Sequence, residues 1–211
     1  MDYIHALKKR YSVKKFGPEL LDEEKINSIL EAARLSASSM GLQPYRIYLA
    51  SKARTPELLT KLSGAFYNPS QVLTCSHLFI LCAKKQVEPH YIDGYFKHIE
   101  SVRNVTPQSL EGFRKNIGDF KNSFSEEALF HWTQKQAYIA LGHLLVAAAL
   151  EGIDSCPLEG FDGEKLSALM PVNPKAEFPC VALALGVRAQ EDTFQNLKKV
   201  RKPLEKLVKY L

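Results

Sequence analysis

The sequence lacks the short motifs by which side chains alone usually carry out chemistry. It contains no G-x-S-x-G nucleophile turn and no G-x-x-x-x-G-K phosphate loop. Its six histidines show no H-x-x-x-H spacing, so a metal site is not expected. These absences argue against the commonest hydrolases, nucleotide phosphatases and metalloenzymes. They leave a bound cofactor as the expected carrier of any reaction, with no catalytic side chain assigned.

Cysteine is also scarce. Cys75, Cys82, Cys156 and Cys180 show neither the C-x-x-C spacing of zinc and redox sites nor the density of a secreted disulfide scaffold. We interpret them as buried thiols. The first ten residues contain no apolar core of signal-peptide length, so a cytoplasmic protein is expected, with no membrane partner.

The longest apolar stretch, 137–150, is broken only by Gly142 and His143. Polar residues flank it on both sides, so it falls short of the roughly 20 residues that cross a bilayer. The pattern predicts a helix buried in the core or in an interface, with Ser125 as its N-cap and Gly152 as its stop. After it, a Pro-Leu-Glu-Gly turn at 157–160 could present backbone N–H groups to a bound ring. Alternatively, the turn only leads the chain into the next helix.

The net charge of +5 is concentrated at the two ends of the chain. These cations are either solvated or, if the ends meet in space, a site for one phosphate. Few aromatics lie between them, so a nucleic acid partner is not expected. Alternation in the extended segment 10–16 would place Arg10, Ser12 and Lys14 on one side. The cations of the two clusters are Lys8, Lys9, Arg10, Lys14, Lys15, Lys198, Lys199, Arg201, Lys202, Lys206 and Lys209.

The 211 residues suit a single domain. Periodicity predicts helices beginning after Asp22, over 57–66 and after Asp162, and strands over 45–50, 78–83 and 178–187. Segment 84–124, with helices near 91–102 and 107–120, is expected to be an inserted, lid-like element. The last stretch, 190–211, is basic and lacks the pattern of a self-sufficient element, so a neighbouring subunit or a phosphate would have to hold it.

Six motifs in order resemble the FMN-dependent nitroreductase family, in its branch of homodimeric bacterial oxygen-insensitive NAD(P)H nitroreductases. They are the segments 10–16, 38–45, 76–78, 132–138, 152–161 and 199–201. The resemblance implies an α+β three-layer fold, with a central, mostly antiparallel sheet flanked by helices. It also implies a homodimer in which the long helix lies at the interface and the C-terminal extension reaches the partner subunit.

The resemblance further implies an enzyme with FMN as cofactor. NADH or NADPH would reduce the flavin, and a nitroaromatic, quinone or related small molecule would reoxidise it in a ping-pong cycle. A flavin carrier or sensor without turnover is the alternative, and a basic binding module without flavin is a third hypothesis. Because the family also contains dehalogenases, a flavin-fragmenting enzyme and peptide-azoline oxidases, the resemblance does not select the acceptor.

Carried over residue by residue, the resemblance assigns the flavin phosphate to Arg10, Ser12, Lys199 and Arg201. Lys14 would lie near N1 and O2 of the ring, Asn68 and Gln71 at the pyrimidine edge, and the backbone of Glu159 and Gly160 at N5. Ser38 and Ser39 would reach the flavin from the other subunit. The full expected cofactor set also includes Tyr11, Gly41, Pro157 and Leu158. The expected substrate pocket comprises Met40, Tyr67, Phe120 and Phe124.

Overall fold

Four strands form one antiparallel sheet in a computed structural model that describes residues 2–211. The strands are β1 (Tyr45–Ser51), β2 (His77–Lys84), β3 (Asp154–Leu158) and β4 (Glu177–Gly186). Their order across the sheet is β1-β2-β4-β3, so β2 and β4 are central. Both central strands are almost continuously apolar and buried, as expected for strands covered on both faces.

Nine α-helices occur in the described residues. They are α1 (Tyr3–Lys9), α2 (Glu23–Arg34), α3 (Pro56–Ser63), α4 (Ser70–Thr74), α5 (Pro89–Arg103), α6 (Glu111–Asn122), α7 (Glu126–Leu150), α8 (Gly163–Ala168) and α9 (Leu204–Leu207). Short 3-10 helices cover Ser39–Gly41, Pro107–Leu110 and Thr193–Asn196. The helix starts predicted at Asp22, Ser125 and Asp162 are confirmed, since each side chain accepts a first-turn N–H. Asp2 caps α1 in the same way.

Helices cover both faces of the sheet. On one face, Leu78 and Ile80 of β2 pack in a buried cluster with α3 and α8. On the other face, Phe79 and Leu81 pack with α2 and α7. Alternate residues of one strand therefore serve two separate cores. This arrangement confirms the predicted α+β fold with a sheet between two helical layers.

Helix α7 begins and ends where the sequence predicts, and Gly152 after it has a φ of +73°. Its inward side, with Ala137, Ala140 and Leu144, is completely buried. Its outward face carries Tyr138, Ile139 and Leu150, which are 39%, 42% and 42% exposed. The sequence predicts a helix that is buried on every side, but within a single chain only one side of α7 is buried.

Two sequence predictions are wrong in detail. The Pro-Leu-Glu-Gly turn begins later than expected, because Asp154–Leu158 is strand β3, with Pro157 opposite Leu183 of β4. Proline is tolerated there because β3 is an edge strand, where a missing N–H breaks no second ladder. The C-terminal extension contains two helical turns that periodicity missed, one of 3-10 type and α9. Even so, every residue from Leu197 to Leu211 is exposed.

The two helices predicted within 84–124 are confirmed as α5 and α6. Together with the start of α7 they enclose a third apolar cluster, which includes Phe96, Ile117 and Leu129. The predicted helix over 57–66 ends earlier, at Ser63, and the short α4 that follows was not predicted.

Candidate functional site

A cavity of about 510 Å³, here called the cationic cavity, lies between α1, the extended segment 10–16 and the start of the C-terminal extension. It brings the two basic ends of the chain together, as the phosphate-site interpretation requires. None of the described residues that line it is acidic. Its eight cationic lining residues are Lys8, Lys9, Arg10, Lys14, Arg188, Lys198, Lys199 and Arg201.

Arg10 is half-buried in this cavity, and its Nε atom is buried without a hydrogen-bond partner among residues 2–211. Burial, followed by the positive charge of Arg201, lowers the pKa of Arg10. Burial and the charges of Arg10 and Arg201 lower the pKa of Lys199 as well. Three crowded cations with no carboxylate between them are unfavourable until an anion neutralises them. The cationic cavity is therefore suited to a phosphate group.

Lys199 is held at the end of α1. Its Nζ donates a hydrogen bond of 2.7 Å to the carbonyl oxygen of Leu7 and a second one to the carbonyl of Arg10. A cation is favourable at the C-terminal end of a helix, where carbonyl groups lack partners. This contact fixes the C-terminal extension against the N-terminal segment.

Asp192 makes a second tie between the two ends, and sequence reasoning missed it. Its buried carboxylate accepts hydrogen bonds from the backbone N–H groups of Lys14 at 2.7 Å, Lys15 at 3.2 Å and Phe194 at 3.0 Å. Burial acts to raise the pKa of Asp192, but these hydrogen bonds outweigh it and lower the pKa. The only signal in the sequence is that Asp192 can cap the turn that follows it.

A second cavity, of about 580 Å³, adjoins the first. Lys14 and Phe194 line both cavities, and the Nζ of Lys14 lies 5.4 Å from the centre of the Phe194 ring. Asn68 and Gln71 line the second cavity only. Gln71 is 5% exposed, and its Oε1 has no donor among the described residues. The structure thus places the predicted phosphate and pyrimidine residues on two connected cavities.

The start of β3 lies beside segment 10–16, because Ser155 forms a bridge with Ser12 and its carbonyl accepts a hydrogen bond from the N–H of Val13 at 3.3 Å. Beyond the strand, the backbone N–H groups of Glu159 and Gly160 find no backbone acceptor among residues 2–211. They are free donors in exposed positions. Pro157 and Leu158, which the resemblance also assigns to the cofactor, are the last two residues of the strand.

Glu159 is held from below by α7. Its carboxylate accepts a hydrogen bond from the hydroxyl of Tyr138, which also reaches the carbonyl of Cys180 at 3.3 Å. Burial, then the hydrogen bond to Glu159, raises the pKa of Tyr138. On the other side, the N–H of Tyr67 donates to the carbonyl of Gly160 at 2.9 Å. The two N–H donors are therefore positioned by contacts on both sides.

Ser38, Ser39 and Gly41 line neither of these two cavities. Their loop follows α2 and lies against α5 and α7, with the N–H of Ser39 donating to Oε1 of Gln136 at 2.8 Å. Within one chain, the structure does not bring these residues to the cationic cavity.

The expected substrate residues are divided between two places. Tyr67 is 73% exposed and faces Gly160, where an added Cβ atom would lie 3.6 Å from its ring. Met40 and Phe124 pack against the apolar cluster of α5 and α6. Phe120 packs on Phe124 and Trp132, with ring centres 4.9 and 5.4 Å apart. Their role in a common pocket remains a prediction.

Another cavity, of about 730 Å³, lies between the end of α2, β1 and α5. Its three cations each have an acidic partner, since Arg34 pairs with Glu31, Arg46 with Glu177 and Lys84 with Glu88. A charged ligand is not needed to neutralise them. We place the candidate site at the cationic cavity because Arg10, Lys199 and Arg201 converge there without an acidic partner among the described residues. Arg188, which also lines this cavity, is paired with Asp154.

Other types of site were sought in the same part of the chain. Among residues 2–211, no group of three His, Cys, Asp or Glu side chains is arranged to hold a metal ion. All four cysteines are free thiols. Three of them are buried as predicted, whereas Cys180 is only partly buried. None of the described helices combines the length and apolar character needed to span a membrane.

Known proteins are similar to this chain in sequence and in fold. The family model described as "Nitroreductase family" matches residues 7–187. A provisionally named NAD(P)H nitroreductase of Staphylococcus haemolyticus is 34% identical to this chain, over 99% of the chain and 96% of the relative.

Solved structures share the fold at lower identity. A protein of Staphylococcus epidermidis, described as an NAD(P)H:FMN oxidoreductase, superposes with a TM-score of 0.87 at 23% identity, covering 100% of this chain and 96% of its own. A nitroreductase of Exiguobacterium sibiricum, solved in complex with FMN, gives a TM-score of 0.84 at 19% identity, with 100% and 98% covered. At these identities the superpositions establish the fold alone.

Proposed function

The chain belongs to the nitroreductase family, and from this membership we propose that it is an FMN-dependent NAD(P)H oxidoreductase. It oxidises NADH or NADPH and reduces a nitroaromatic, a quinone or a related small molecule in a ping-pong cycle. When bound, FMN supplies the chemistry, which is acceptance and donation of a hydride at its N5 atom. The observation that carries this proposal is the convergence of Arg10, Lys199 and Arg201 on one cavity without an anion among the described residues.

The cationic cavity fits the phosphate end of FMN. The guanidinium of Arg10 has a buried Nε donor without a partner among residues 2–211, and Arg201 stands close enough to lower the pKa of Arg10. A phosphate dianion would accept hydrogen bonds from both and remove their mutual repulsion. Ser12, beside them on segment 10–16, adds a neutral hydroxyl donor.

The second cavity fits the polar edge of the ring. The buried Oε1 of Gln71 is an acceptor that has no donor among the described residues, and an N–H of a pyrimidine edge would satisfy it. Asn68 offers a second amide on the same cavity. Lys14, between the two cavities, brings a positive charge that favours negative charge on the reduced ring.

Two further roles follow for the backbone after β3. The N–H groups of Glu159 and Gly160 are free to donate toward N5, and the contacts of Tyr138 and Tyr67 hold them in place. Because FMN, when bound, would itself supply the hydride chemistry, no side chain of the site is required as an obligatory acid or base.

A homodimer with two sites at the subunit interface completes the proposal. It is supported by the outward face of α7, which leaves Tyr138, Ile139 and Leu150 partly exposed in a single chain. It is also supported by the C-terminal extension, whose leucines find nothing to cover them within residues 2–211. In the dimer, Ser38 and Ser39 would reach the flavin bound to the other copy.

The cofactor is tested first. The full-length protein should be purified, its bound flavin released by heat and identified by chromatography. FMN is expected, because the cationic cavity suits a terminal phosphate. FAD, or no flavin even after reconstitution, would contradict the proposal.

Turnover is tested on the same protein. Anaerobic addition of NADH or NADPH should bleach the flavin absorbance, and a nitroaromatic or quinone should restore it. Initial-rate plots should be parallel, whereas intersecting plots would indicate a ternary complex. A flavin that neither nicotinamide reduces would support the carrier or sensor alternative.

The role of Lys14 has its own test. Lys14→Ala should lower the reduction potential of the bound flavin, since a positive charge beside the reduced ring is removed. Lys61→Ala is the matched control, because Lys61 is an exposed lysine of α3 that lines neither cavity. A potential that rises or stays constant in Lys14→Ala would remove Lys14 from the flavin.

A further inference from the structure

The loop from Ser38 to Gln43 has an uncommon backbone conformation. Met40 and Gln43, which are not glycines, have φ values of 55° and 45°, and Gly41 between them has a φ of 69°. Residues with a Cβ atom disfavour this left-handed region, so the conformation persists only where the surroundings enforce it.

Two side chains of helix α5 hold the loop in this conformation. The hydroxyl of Tyr95 donates to the carbonyl of Met40 at 2.7 Å. The hydroxyl of Tyr91, one turn earlier, shares its single proton between the carbonyls of Leu42 at 2.8 Å and Gln43 at 2.7 Å. Two tyrosines on one face of the helix thus bind three carbonyl groups of the strained loop.

The two tyrosines are themselves fixed. The ring of Tyr95 packs edge-on against Phe96 and Phe113, with ring centres 5.5 and 6.5 Å apart. The Nζ of Lys84 lies 4.7 Å from the centre of the Tyr91 ring. Burial raises the pKa of Tyr91 to about 12, so its hydroxyl keeps its proton at any physiological pH.

The fit between loop and helix is close. A Cβ atom added to Gly41 would lie 2.7 Å from the hydroxyl oxygen of Tyr95. Glycine at this position therefore allows the hydroxyl to reach the carbonyl of the preceding residue. Such complementarity is unnecessary for a loop that merely connects α2 to β1.

We propose that Tyr91 and Tyr95 are positioning residues, which clamp the strained Ser38–Gln43 loop in the conformation that presents Ser38 and Ser39 to the flavin of the other copy. The proposal rests on the proposed function. It gives the helical segment 84–124 a second role, as a fixed support for the flavin site.

Removal of single hydroxyl groups tests the clamp. Tyr91→Phe, Tyr95→Phe and the double variant keep the rings and lose only the donors. Tyr48→Phe is the matched control, because it removes a part-buried hydroxyl whose acceptor, Glu177, belongs to β4 and not to the loop. Hydrogen exchange of the full-length protein, followed by mass spectrometry, should show amides of the loop exchanging about tenfold faster in each single variant. Tyr48→Phe should leave the loop unchanged.

Function is then measured on the same variants. The double variant should weaken FMN binding about tenfold and shift the absorbance spectrum of the bound flavin, while Tyr48→Phe should do neither. Unchanged exchange in the loop would overturn the clamp. Faster exchange with an unchanged flavin affinity and spectrum would overturn its positioning role. A wild-type protein without flavin would contradict the proposed function instead, and the exchange experiment would still decide the clamp.

Discussion

The central strands and the C-terminal extension differ in how completely a single chain buries their apolar side chains. From Leu78 to Ala83, every residue of β2 is buried, with helices on both faces of the sheet. From Leu197 to Leu211, every residue is exposed, although Leu197, Val200, Leu204 and Leu207 are apolar. The two regions have similar apolar side chains and opposite environments.

The outward face of α7 resembles the C-terminal extension, because its apolar side chains are also partly exposed in a single chain. Leu144 is completely buried against the sheet, whereas Ile139, about one and a half turns earlier, is 42% exposed. The core is therefore completed by the chain itself, whereas the outward face of α7 and the C-terminal extension keep apolar side chains exposed. The proposed second copy of the chain would cover these side chains.

The largest effect is expected from the two sides of α7. Leu144→Ala should lower the free energy of unfolding by about 2 to 5 kcal/mol, because it leaves a cavity in the core. Ile139→Ala removes a similar volume from the outward face and should cost about 1 kcal/mol or less in the isolated chain. Urea unfolding of both variants measures the difference.

Protein concentration sharpens this contrast. If the outward face lies in a dimer interface, the cost of Ile139→Ala grows with protein concentration and that of Leu144→Ala does not. A cost of Ile139→Ala that does not change with protein concentration would contradict a dimer interface on the outward face of α7.

An effect of intermediate size, on the affinity for FMN, is expected from a substitution in the C-terminal extension. Arg201→Ala would remove the charged hydrogen bonds that we propose to the flavin phosphate, and it should weaken FMN binding about ten- to a hundredfold. Lys206→Ala, a cation of the same extension that does not line the cationic cavity, should change it less than about twofold. Titration of the flavin-free protein with FMN measures both. An unchanged dissociation constant in Arg201→Ala would show that this cation is only solvated.

The smallest effect, on the free energy of unfolding, is expected from Asp192 at the start of the C-terminal extension. Backbone hydrogen bonds, acting against burial, lower the pKa of Asp192. Its stabilising contribution is present above the unfolded value of about 3.9 and is lost as the pH falls through the folded value. Asp192→Asn should therefore be less stable than wild type at pH 7, and the difference should shrink below about pH 4. Urea unfolding at both pH values measures it, and a constant difference would contradict the role of the charge.

Much of the fold could be predicted from local patterns. The buried strands β2 and β4 are continuous apolar runs, and the helices after Asp22, Ser125 and Asp162 have both a cap and a period. Strand β3 could not be predicted this way, because five residues with a proline show no period and its identity depends on pairing with β4.

The candidate site was predictable only in part. Charge clustering left open whether the two basic ends of the chain meet, and the structure brings Arg10 and Lys199 to one cavity. Asp192 was missed because its partners, the N–H groups of Lys14 and Lys15, are distant in sequence and carry no side-chain signal. The clamp by Tyr91 and Tyr95 was missed because it binds backbone carbonyls, whose positions depend on tertiary structure.

The central claim is that a complete flavin site exists only when two copies associate. Sedimentation velocity over a dilution series of the wild-type protein tests it most directly, with protein and flavin absorbance recorded on the same samples. The account predicts that dissociation of the dimer and release of FMN share one midpoint, because a ligand that only the dimer binds stabilises the dimer by mass action. A dimer that survives complete loss of FMN would break this linkage, and a monomer that keeps one FMN per chain would contradict the shared site.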